Sequence, residues 1–437
     1  MRQGPPILAA VLSVCAAAPF ALAEKPRPAD ADVEAIYPDL DALYLDLHRN
    51  PELSQHEVKT AAKMAERLRA LGFAVTTEIG GHGVVGVMKN GAGPTVALRT
   101  DLDALPIEER TGLPYASRVT TKDDSGNTVS VMHACGHDIH MTSWVGAATL
   151  LAKAKDRWKG TLVMIGQPDE EKGSGARTML DAGLFTRFPR PDFIVAIHDS
   201  PDLPAGKIGA RPGFTFANVD SADITVYGRG GHGAYPHKTV DPIVIAARIV
   251  VALQTIVSRE ESPFDPAVVT VGSIHGGTKH NIIPDEVRLQ LTVRSYKEEV
   301  RKRLHAAIER IAKAEAAAAG APKEPKVRIS LGDPATYNDP ALTERLTGAL
   351  KDRFGAGNVV VPDAVMAGED FSWYGREGVP AAILWVGGVN PERFEAAVKA
   401  GTPMPGLHSS EWAPDRGPTI RTGVQTLTTA ALELLGK

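Results

Sequence analysis

The sequence predicts an α/β protein in which a smaller domain with a ferredoxin-like pattern is inserted into a larger domain. Three observations predict this fold class. Helices alternate with doubly apolar strands up to about residue 213, the order becomes βαββαβ from Phe214, and helix–strand alternation returns near Pro334. The predicted boundaries are 1–23 for a leader, 24–213 and 333–437 for the larger domain, and 214–332 for the insert.

The first residues have the features of a secretory signal peptide. Arg2 precedes the apolar run ILAAVLSVCAAAPFALA, whose last three residues form a small-x-small site, so cleavage is expected after Ala23. The run is short and rich in alanine and proline, which disfavours an uncleaved anchor. Val14 is large for the position before a lipidated Cys15, so a lipoprotein is also disfavoured. The sequence predicts an exported protein, periplasmic or secreted, whose mature form keeps one thiol, Cys135.

The elements of the larger domain follow in order. Apolar residues at helical spacing between Asp39 and Leu71 predict two helices separated at Asn50-Pro51. The segments FAVTTEI, GVVGVMK and TVALRTDLD predict strands, and SWVGAATLLAKAK predicts a buried helix. GTLVMIGQP and DFIVAIHD predict strands that are buried on both faces, which requires helical layers on both sides of the sheet.

The insert has a different pattern. ADITVYGRGG, AVVTVGSI, VRLQLTVRSY and KVRISLG predict four strands, and DPIVIAARIVVALQTIV and KEEVRKRLHAAIERIAKAEAAAA predict two amphipathic helices. This order predicts a ferredoxin-like unit whose sheet has both helices on one face.

The composition narrows the class of partner. The chain carries 43% hydrophobic and 23% charged residues, as an ordinary globular protein does, and its formal net charge is -4. This balance argues for neither nucleic acid nor an anionic membrane as a partner.

Two motifs carry side chains that can bind metal. In CGHD, Gly136 permits a turn that lets the Cys135 thiolate and the His137 imidazole face one ion, although a buried cysteine beside a core histidine is the alternative. Glu170-Glu171 follows a buried strand, at the end where open α/β sheets place their ligands. One glutamate can bind metal while its neighbour acts as general base, and a solvated acidic turn is the alternative.

Further candidates follow other strands or lie in loops. His198 ends a second apolar strand, where it can be a ligand or a core histidine. Asp101 and Asp103 end a third strand, where acids commonly orient a ligand histidine. His408 lies in the loop GLHSSEW and would complete the set of ligands.

These motifs, taken together, resemble the amidohydrolase branch of the M20 metallopeptidases, which includes hippurate hydrolases, N-acyl-amino-acid amidohydrolases and auxin-conjugate hydrolases. The resemblance covers nearly the whole mature chain, in order: LHRNPELSQHE, ALRTDLDALPIEE, MHACGHDIHM, GTLVMIGQPDEEKGSGARTMLDAGLF, GRGGHGAYPH, HNIIPDEVRLQLTVRSY, AGEDFSWY and GLHSSEW. Eight such motifs in one order are far more specific than any one of them.

The resemblance implies a catalytic domain with two divalent metals, most simply Mn or Zn with Co or Ni as further candidates, and an inserted lid that also dimerises in many relatives. It places the metal ligands at Cys135, His137, Glu171, His198 and His408, with Cys135 in the bridging position. It implies that Glu170 is the general base and that Asp103 orients the metal site. Asp101 stands where related branches keep a ligand histidine. His133, Asp138 and His140 also match the pattern and are expected to support the ligands from behind.

The resemblance also implies the reaction. Glu170 would take a proton from a water activated by the metals, and later hand it to the departing amine. His232 of the lid would help to stabilise the oxyanion of an amide carbonyl. Asn281 and Arg294 are candidates for holding the substrate's α-carboxylate, although a surface salt bridge is the alternative for Arg294. The expected function is release of an amino acid and a carboxylic acid from an N-acyl or N-aroyl amino acid.

Three other functions have to be compared with this one. A carboxypeptidase or dipeptidase of the same family would use the same metals on short peptides. A cysteine nucleophile would need one histidine but not the Glu170-Glu171 pair. A metal or peptide carrier would keep the ligands without the general base, whereas Glu170 is present. One departure concerns specificity: the polar segment SRVTTKDDSGNTVS before the cysteine motif is longer than usual, so the rim of the site is expected to differ from that of relatives.

Overall fold

The computed structural model describes residues 30–436. The predicted signal peptide and Cys15 lie outside these residues. The helices are α1 Asp30–Arg49, α2 Val58–Ala70, α3 His137–Lys153, α4 Gly175–Asp181, α5 Leu184–Arg187, α6 Pro242–Thr255, α7 Glu298–Ala318, α8 Pro340–Phe354, α9 Ser372–Arg376, α10 Pro391–Ala400 and α11 Arg416–Leu434. The strands are β1 Ala74–Thr76, β2 Val84–Asn90, β3 Thr95–Asp101, β4 Thr120–Lys122, β5 Thr128–Ser130, β6 Gly160–Gln167, β7 Phe193–Pro204, β8 Ile208–Gly209, β9 Gly213–Phe216, β10 Asn218–Tyr227, β11 Gly231–His232, β12 Ala267–His275, β13 Ile282–Ile283, β14 Glu286–Ser295, β15 Lys326–Leu331, β16 Thr336–Asn338, β17 Val359–Val360 and β18 Ala381–Val389.

The larger domain is built on an eight-stranded mixed sheet in the order β1-β2-β6-β3-β7-β18-β8-β17. Its four central strands, β6, β3, β7 and β18, are parallel to one another. Alternate residues of β6 enter different cores: Leu162 and Met164 pack with α1, α3 and α11, whereas Val163 and Ile165 pack with α4, α5 and α9. The predicted strands with two buried faces are therefore present, and helices cover both faces of the sheet.

The smaller domain is a four-stranded antiparallel sheet in the order β12-β14-β10-β15. Along the chain its elements follow as β10, α6, β12, β14, α7 and β15, which is the βαββαβ order expected from the sequence. Ile245, Ile249 and Leu304 of the two helices share one core with Leu289 and Leu291 of β14, so both helices cover the same face. The predicted fold class is confirmed.

A short ribbon connects the two domains. Strand β9, which precedes the insert, pairs with β16, which follows it. The buried Asn218 fastens this region, because its amide donates to Ser295 Oγ at 3.0 Å and to the Tyr296 carbonyl at 3.1 Å while its oxygen accepts from Ala335 N–H at 2.8 Å. The four-stranded sheet spans 218–331; the predicted lower limit, 214, falls within β9, and the predicted upper limit, 332, lies between β15 and β16.

One segment of the described chain, Pro242–Glu260, is long and apolar enough to cross a membrane by length and composition, with a mean hydropathy of 1.6. A single segment of this kind is weak evidence for a membrane span. It contains α6, whose inner face packs in the core of the smaller domain, while Val244 and Val251 on its outer face are 55% and 71% exposed. The exposed valines of α6 therefore form an apolar patch on the surface of the smaller domain.

Candidate metal centre and catalytic site

The candidate site lies where the central parallel strands end. Strand β3 ends at Asp101, β6 ends at Gln167 just before Glu170 and Glu171, and β7 contains His198. Because these strands are neighbours and parallel, their carboxyl ends meet at one edge of the sheet, where open α/β folds place ligands. Cys135 lies in the turn before α3, at the same edge.

The five predicted ligands come together as two groups that share one atom. The side-chain atoms of Cys135, His137 and His198 lie within 4.8 Å of one another, and so do those of Cys135, Glu171 and His408. Cys135 Sγ is 3.5 Å from His198 Nε2, and Glu171 Oε2 is 3.3 Å from His408 Nε2. A single sulfur atom thus belongs to both groups, as the bridging position assigned to Cys135 requires.

Backbone carbonyls orient two of the imidazoles. His137 Nδ1 lies 2.8 Å from the Asp103 carbonyl, and His198 Nδ1 lies 2.8 Å from the Asp199 carbonyl. Since a carbonyl only accepts, each Nδ1 carries a proton, which leaves Nε2 as the ring atom that can bind a cation. Sequence reasoning gave Asp103 an orienting role, and the structure shows that its carbonyl makes this contact, with Oδ1 at 3.4 Å from the same nitrogen.

The residues fit a pair of divalent cations. His137 Nε2 and Glu171 Oε1 are buried and have no hydrogen-bond partner among residues 30–436. Buried polar atoms without a partner are costly unless another group satisfies them. A cluster of sulfur, imidazole and carboxylate donors at one point suits ions such as zinc or manganese. Of the five ligand side chains, that of His408 is about half exposed, at 53%.

Glu170 lies beside the ligands with its carboxylate only 10% exposed and with Oε2 3.9 Å from His137 Nε2. Burial raises the pKa of Glu170, and the neighbouring carboxylates of Glu369 and Glu171 raise it further. A carboxylate whose pKa is raised holds a proton more readily, which is what a group that accepts and then returns a proton needs.

Cys135 is a poor candidate for a nucleophile in this surrounding. Burial raises the pKa of its thiol, and the carboxylates of Glu171 and Glu170 raise it further. A nucleophilic cysteine requires the opposite, an electropositive surrounding that lowers the thiol pKa. Burial and the neighbouring carboxylates therefore disfavour the cysteine-nucleophile alternative.

Residues behind the ligands form a connected layer. His140 Nδ1 lies 2.8 Å from Asp101 Oδ1, and its Nε2 lies 3.2 Å from Asp199 Oδ1. Burial lowers the pKa of His140, but the charge of Asp101 and hydrogen bonds with both carboxylates outweigh this effect and raise the pKa to about 9. Asp101 Oδ2 in turn accepts from Arg99 at 2.9 Å. Asp101 therefore holds His140 through one oxygen, while its Oδ2 also lies 3.9 Å from His137 Nε2, so both residues adjoin the ligand atoms.

Asp138 and His133, which were also expected to support the ligands, differ in their hydrogen bonding. Asp138 Oδ2 lies 2.7 Å from Nδ1 of His48, whose Nε2 is 3.2 Å from Glu109. Burial lowers the pKa of His48, but hydrogen bonds with these two carboxylates outweigh it and raise the pKa to about 9. His133 is buried without a hydrogen-bond partner in the described chain, and burial lowers its pKa to about 4, so it is neutral.

Several functional neighbours were missed by sequence reasoning. Arg99 is fully buried and pairs with Glu369 at 3.1 Å and Asp370 at 2.9 Å in addition to Asp101. Asp199 accepts a hydrogen bond from Trp412 Nε1 at 3.2 Å. The available signal was their position inside the quoted motifs, since Arg99 stands in ALRTDLD and Asp199 follows His198 directly.

The lid residues predicted to contact substrate lie on the smaller domain. His232, in β11, is exposed and pairs with Ile282 of β13, and the Asn281 carbonyl accepts from Gly233 N–H at 2.8 Å. The contacts found for His232 within residues 30–436 all lie in the smaller domain, so the structure does not bring this side chain to the metal ligands.

Arg294 of β14 differs from these two residues because it faces the larger domain. Its Nη1 lies 4.0 Å from where a Cβ on Gly368 would stand. The guanidinium is partly buried and has no ion pair with a described residue, so the surface salt bridge considered as an alternative is not observed.

The polar segment before the cysteine motif folds as a hairpin of β4 and β5. Its tip residue Asp124 lies 2.6 Å from Lys172 Nζ and 3.5 Å from His56 Nε2. Since Lys172 follows Glu171 directly, the hairpin tip is attached to the rim of the candidate site. The hairpin therefore forms part of the rim, and its effect on specificity stays a prediction.

The sequence of this chain is similar to those of known metallopeptidases and amidohydrolases. Residues 97–399 match the model of peptidase family M20/M25/M40. The chain is 38% identical to the N-acetyl-L-cysteine deacetylase of Bacillus subtilis, over 78% of each chain. It is 37% identical to thermostable carboxypeptidase 2 of Saccharolobus solfataricus, over 83% of this chain and 89% of the relative.

Two further proteins extend the comparison. The hippurate hydrolase of Campylobacter jejuni is 39% identical over 75% of this chain and 82% of its own. The crystal structure of the YXEP protein of Bacillus subtilis, described as a dinuclear metal binding peptidase from the M20 family, superposes with a TM-score of 0.75 at 31% identity. The superposition covers 92% of this chain and 100% of the YXEP chain.

Proposed function

The chain belongs to peptidase family M20/M25/M40, and on that premise we propose that it hydrolyses the amide bond of N-acyl or N-aroyl amino acids, releasing the free amino acid and a carboxylic acid. The observation that carries the proposal is the pair of ligand groups sharing Cys135 Sγ, with the Glu170 carboxylate beside them. The family relationship that the sequence motifs implied is confirmed, and the chain is a hydrolase of this family.

The chain's own residues account for the movement of the proton. Two divalent ions, when bound by Cys135, His137, Glu171, His198 and His408, would lower the pKa of water and polarise the scissile carbonyl. Glu170 is placed to accept the proton, and its raised pKa favours holding it until the amine departs. Manganese or zinc is the proposed metal for the mixed sulfur, nitrogen and oxygen donors, with cobalt or nickel as further candidates.

Arg294 supports the assignment of an amino-acid substrate. Its guanidinium is partly buried next to Gly368 without an ion pair among the described residues, so a substrate carboxylate would supply a partner in two-point geometry. Asn281 and His232 are proposed to act from the lid, on the carboxylate and on the carbonyl oxygen. Both would have to approach the ligands through movement of the smaller domain.

Substrate choice separates the two activities found among relatives. An N-acetyl amino acid and the corresponding glycyl dipeptide differ only by an amino group in place of one hydrogen, so N-acetylmethionine and Gly-Met make a matched pair. Higher kcat/KM for N-acetylmethionine and hippurate supports the amidohydrolase, and higher kcat/KM for the dipeptides supports the alternative carboxypeptidase or dipeptidase. Absence of hydrolysis across both series, with Mn²⁺ or Zn²⁺ supplied, would contradict the proposal.

The metal requirement is tested separately. EDTA should abolish the activity and Mn²⁺ or Zn²⁺ should restore it, because the ligand groups require a cation to act. Full activity in chelator combined with loss on treatment with iodoacetamide would favour a thiol nucleophile instead.

Two further properties, the location and the oligomeric state of the protein, are proposed from residues outside the site. The signal-like residues 1–23 support export to the periplasm or beyond. The exposed valines of α6 support a homodimer formed through the smaller domain, since an apolar outer face is commonly an interface. N-terminal sequencing of the protein recovered from periplasm, and light scattering of the purified chain, test these two points.

A further inference from the structure

The turn that carries Glu170 and Glu171 begins in a strained conformation. Asp169 has φ of 60°, and Gln55, on a segment 114 residues away, has φ of 69°. Residues other than glycine seldom adopt this region, and they remain there only where their surroundings hold them. The side chains of the two residues meet, since Gln55 Nε2 donates to Asp169 Oδ2 at 3.0 Å.

One carboxylate oxygen holds both strained residues. Glu57 Oε1 accepts from the backbone N–H of Gln55 at 2.9 Å and from that of Asp169 at 2.8 Å. Glu57 is completely buried. Hydrogen bonds from backbone amides to a buried carboxyl oxygen are strong and directional, so Glu57 fixes where the chain turns after Asp169.

The position of Glu57 makes this use of its side chain unusual. It is the N-cap residue of α2, yet its carboxylate makes no capping bond to that helix. Glu52 caps the helix instead, because its carboxylate accepts from Lys59 N–H at 3.2 Å and Thr60 N–H at 2.8 Å. The capping function is therefore supplied from elsewhere, and the side chain of Glu57 is committed to the Asp169 turn.

The Glu170-Glu171 turn is held at a second point, through the carboxylate of Asp103. Glu171 N–H donates to Asp103 Oδ2 at 2.9 Å, and Ser54 Oγ donates to the same oxygen at 2.6 Å. The segment 54–57 thus contacts the Glu170-Glu171 turn both before and after Glu170. The direction of the Glu170 side chain is set between these two attachments.

We propose that Glu57 is a positioning residue for catalysis, which acts by holding Asp169 so that Glu170 and Glu171 reach their places at the metal centre. This inference rests on the proposed function, because it assigns a role at the same site. Burial, and then the charge of Asp103, raise the pKa of Glu57 to about 8, so a neutral side chain of the same shape should serve.

The test compares four variants. Glu57→Gln keeps the accepting oxygen, Glu57→Met removes it, and Glu57→Asp keeps the carboxyl group but withdraws the oxygen by one methylene. Glu52→Met is the matched control, since it removes a neighbouring carboxylate that only caps α2. At saturating Mn²⁺ we expect Glu57→Gln within about 3-fold of wild-type kcat, and Glu57→Met and Glu57→Asp about 10- to 100-fold lower with KM nearly unchanged.

A readout that needs neither substrate nor metal separates this inference from the proposed function. Amide hydrogen exchange of the peptide covering 168–175 should become at least about tenfold faster in Glu57→Met and Glu57→Asp and stay unchanged in Glu52→Met, because the Asp169 amide loses its acceptor. Wild-type exchange and kcat in Glu57→Asp would overturn the inference, as would a Glu57→Gln variant as slow as Glu57→Met. A wild-type enzyme inactive on every substrate, with the exchange result as expected, would overturn the proposed function and leave the contact with Asp169 intact.

Discussion

Replacing Gly136 with alanine tests how closely the cysteine turn is fitted to the layer behind it. Gly136 has φ of +75° and separates Cys135 from His137. A Cβ at this position would lie 2.3 Å from Asp199 Oδ2 and 2.4 Å from its Oδ1. Carbon atoms need about 3.5 Å from such neighbours, so the Asp199 carboxylate would have to withdraw by about 1 Å.

The cost of that withdrawal follows from what Asp199 contacts. The positive φ costs an alanine about 1 kcal/mol, and loss of hydrogen bonds from a fully buried carboxylate costs about 2–4 kcal/mol more. Asp199 accepts from Trp412, and its carbonyl orients His198, so displacement also moves a ligand. We expect Gly136→Ala to bind Mn²⁺ about 10- to 100-fold more weakly.

Gly72→Ala is the matched control, because Gly72 has φ of +86° and no atom within 4 Å of the added Cβ. It should lose only the conformational part, about 1 kcal/mol. Thermal unfolding followed by circular dichroism, with calorimetric titration of Mn²⁺, compares the two variants. Equal melting temperatures and equal Mn²⁺ affinities would refute the reasoning, since the contact with Asp199 would then have no consequence.

Three further predictions concern other parts of the site. Glu170→Gln should retain its metal content, measured by elemental analysis, while kcat falls about 10²- to 10⁴-fold, because an amide cannot accept the proton. Burial raises the pKa of Asp333 from 3.8 to about 6 despite its bond from Trp373, so the contribution of this carboxyl to folded-state stability is fully present below pH 3.8 and is lost as the pH rises from there through about 6. Asp333→Asn should remove that decline in melting temperature, and an unchanged pH profile would count against the assignment. Asp124→Asn releases Lys172 at the rim and should raise kcat/KM for N-succinyl over N-butyryl amino acids by about 2- to 5-fold, an increase that salt should suppress.

The sequence predicted the site residues that belong to recognisable motifs. Cys135, His137, Glu171, His198 and His408 lie far apart along the chain, and the structure brings them to one edge of the sheet. The sequence could predict these five residues because each follows an apolar run or stands in a motif with a distinct composition. The doubly buried strands were equally clear, since few other elements are apolar on both faces.

The residues that were missed act through neighbours that are distant in sequence. Glu57 reads as an ordinary acid at a helix start, and only the folded chain shows that it holds Asp169. Arg99 reads as a charge in a strand, and its burial between carboxylates could not be foreseen from spacing. The place of His232 near substrate stays a prediction, because it depends on how the two domains approach each other.

The two-part construction of the larger domain has a consequence for the order in which the protein can fold. Strand β18, which lies beside β7 near the centre of the large sheet, comes from the segment after the insert, as does α11, which packs on α3. The smaller domain is continuous in sequence and can form as soon as it has been synthesised, whereas the larger core must wait for these late residues. His408 belongs to the same late segment. The second metal-binding group therefore depends on the same late segment of the chain that supplies the central strand β18 of the main core.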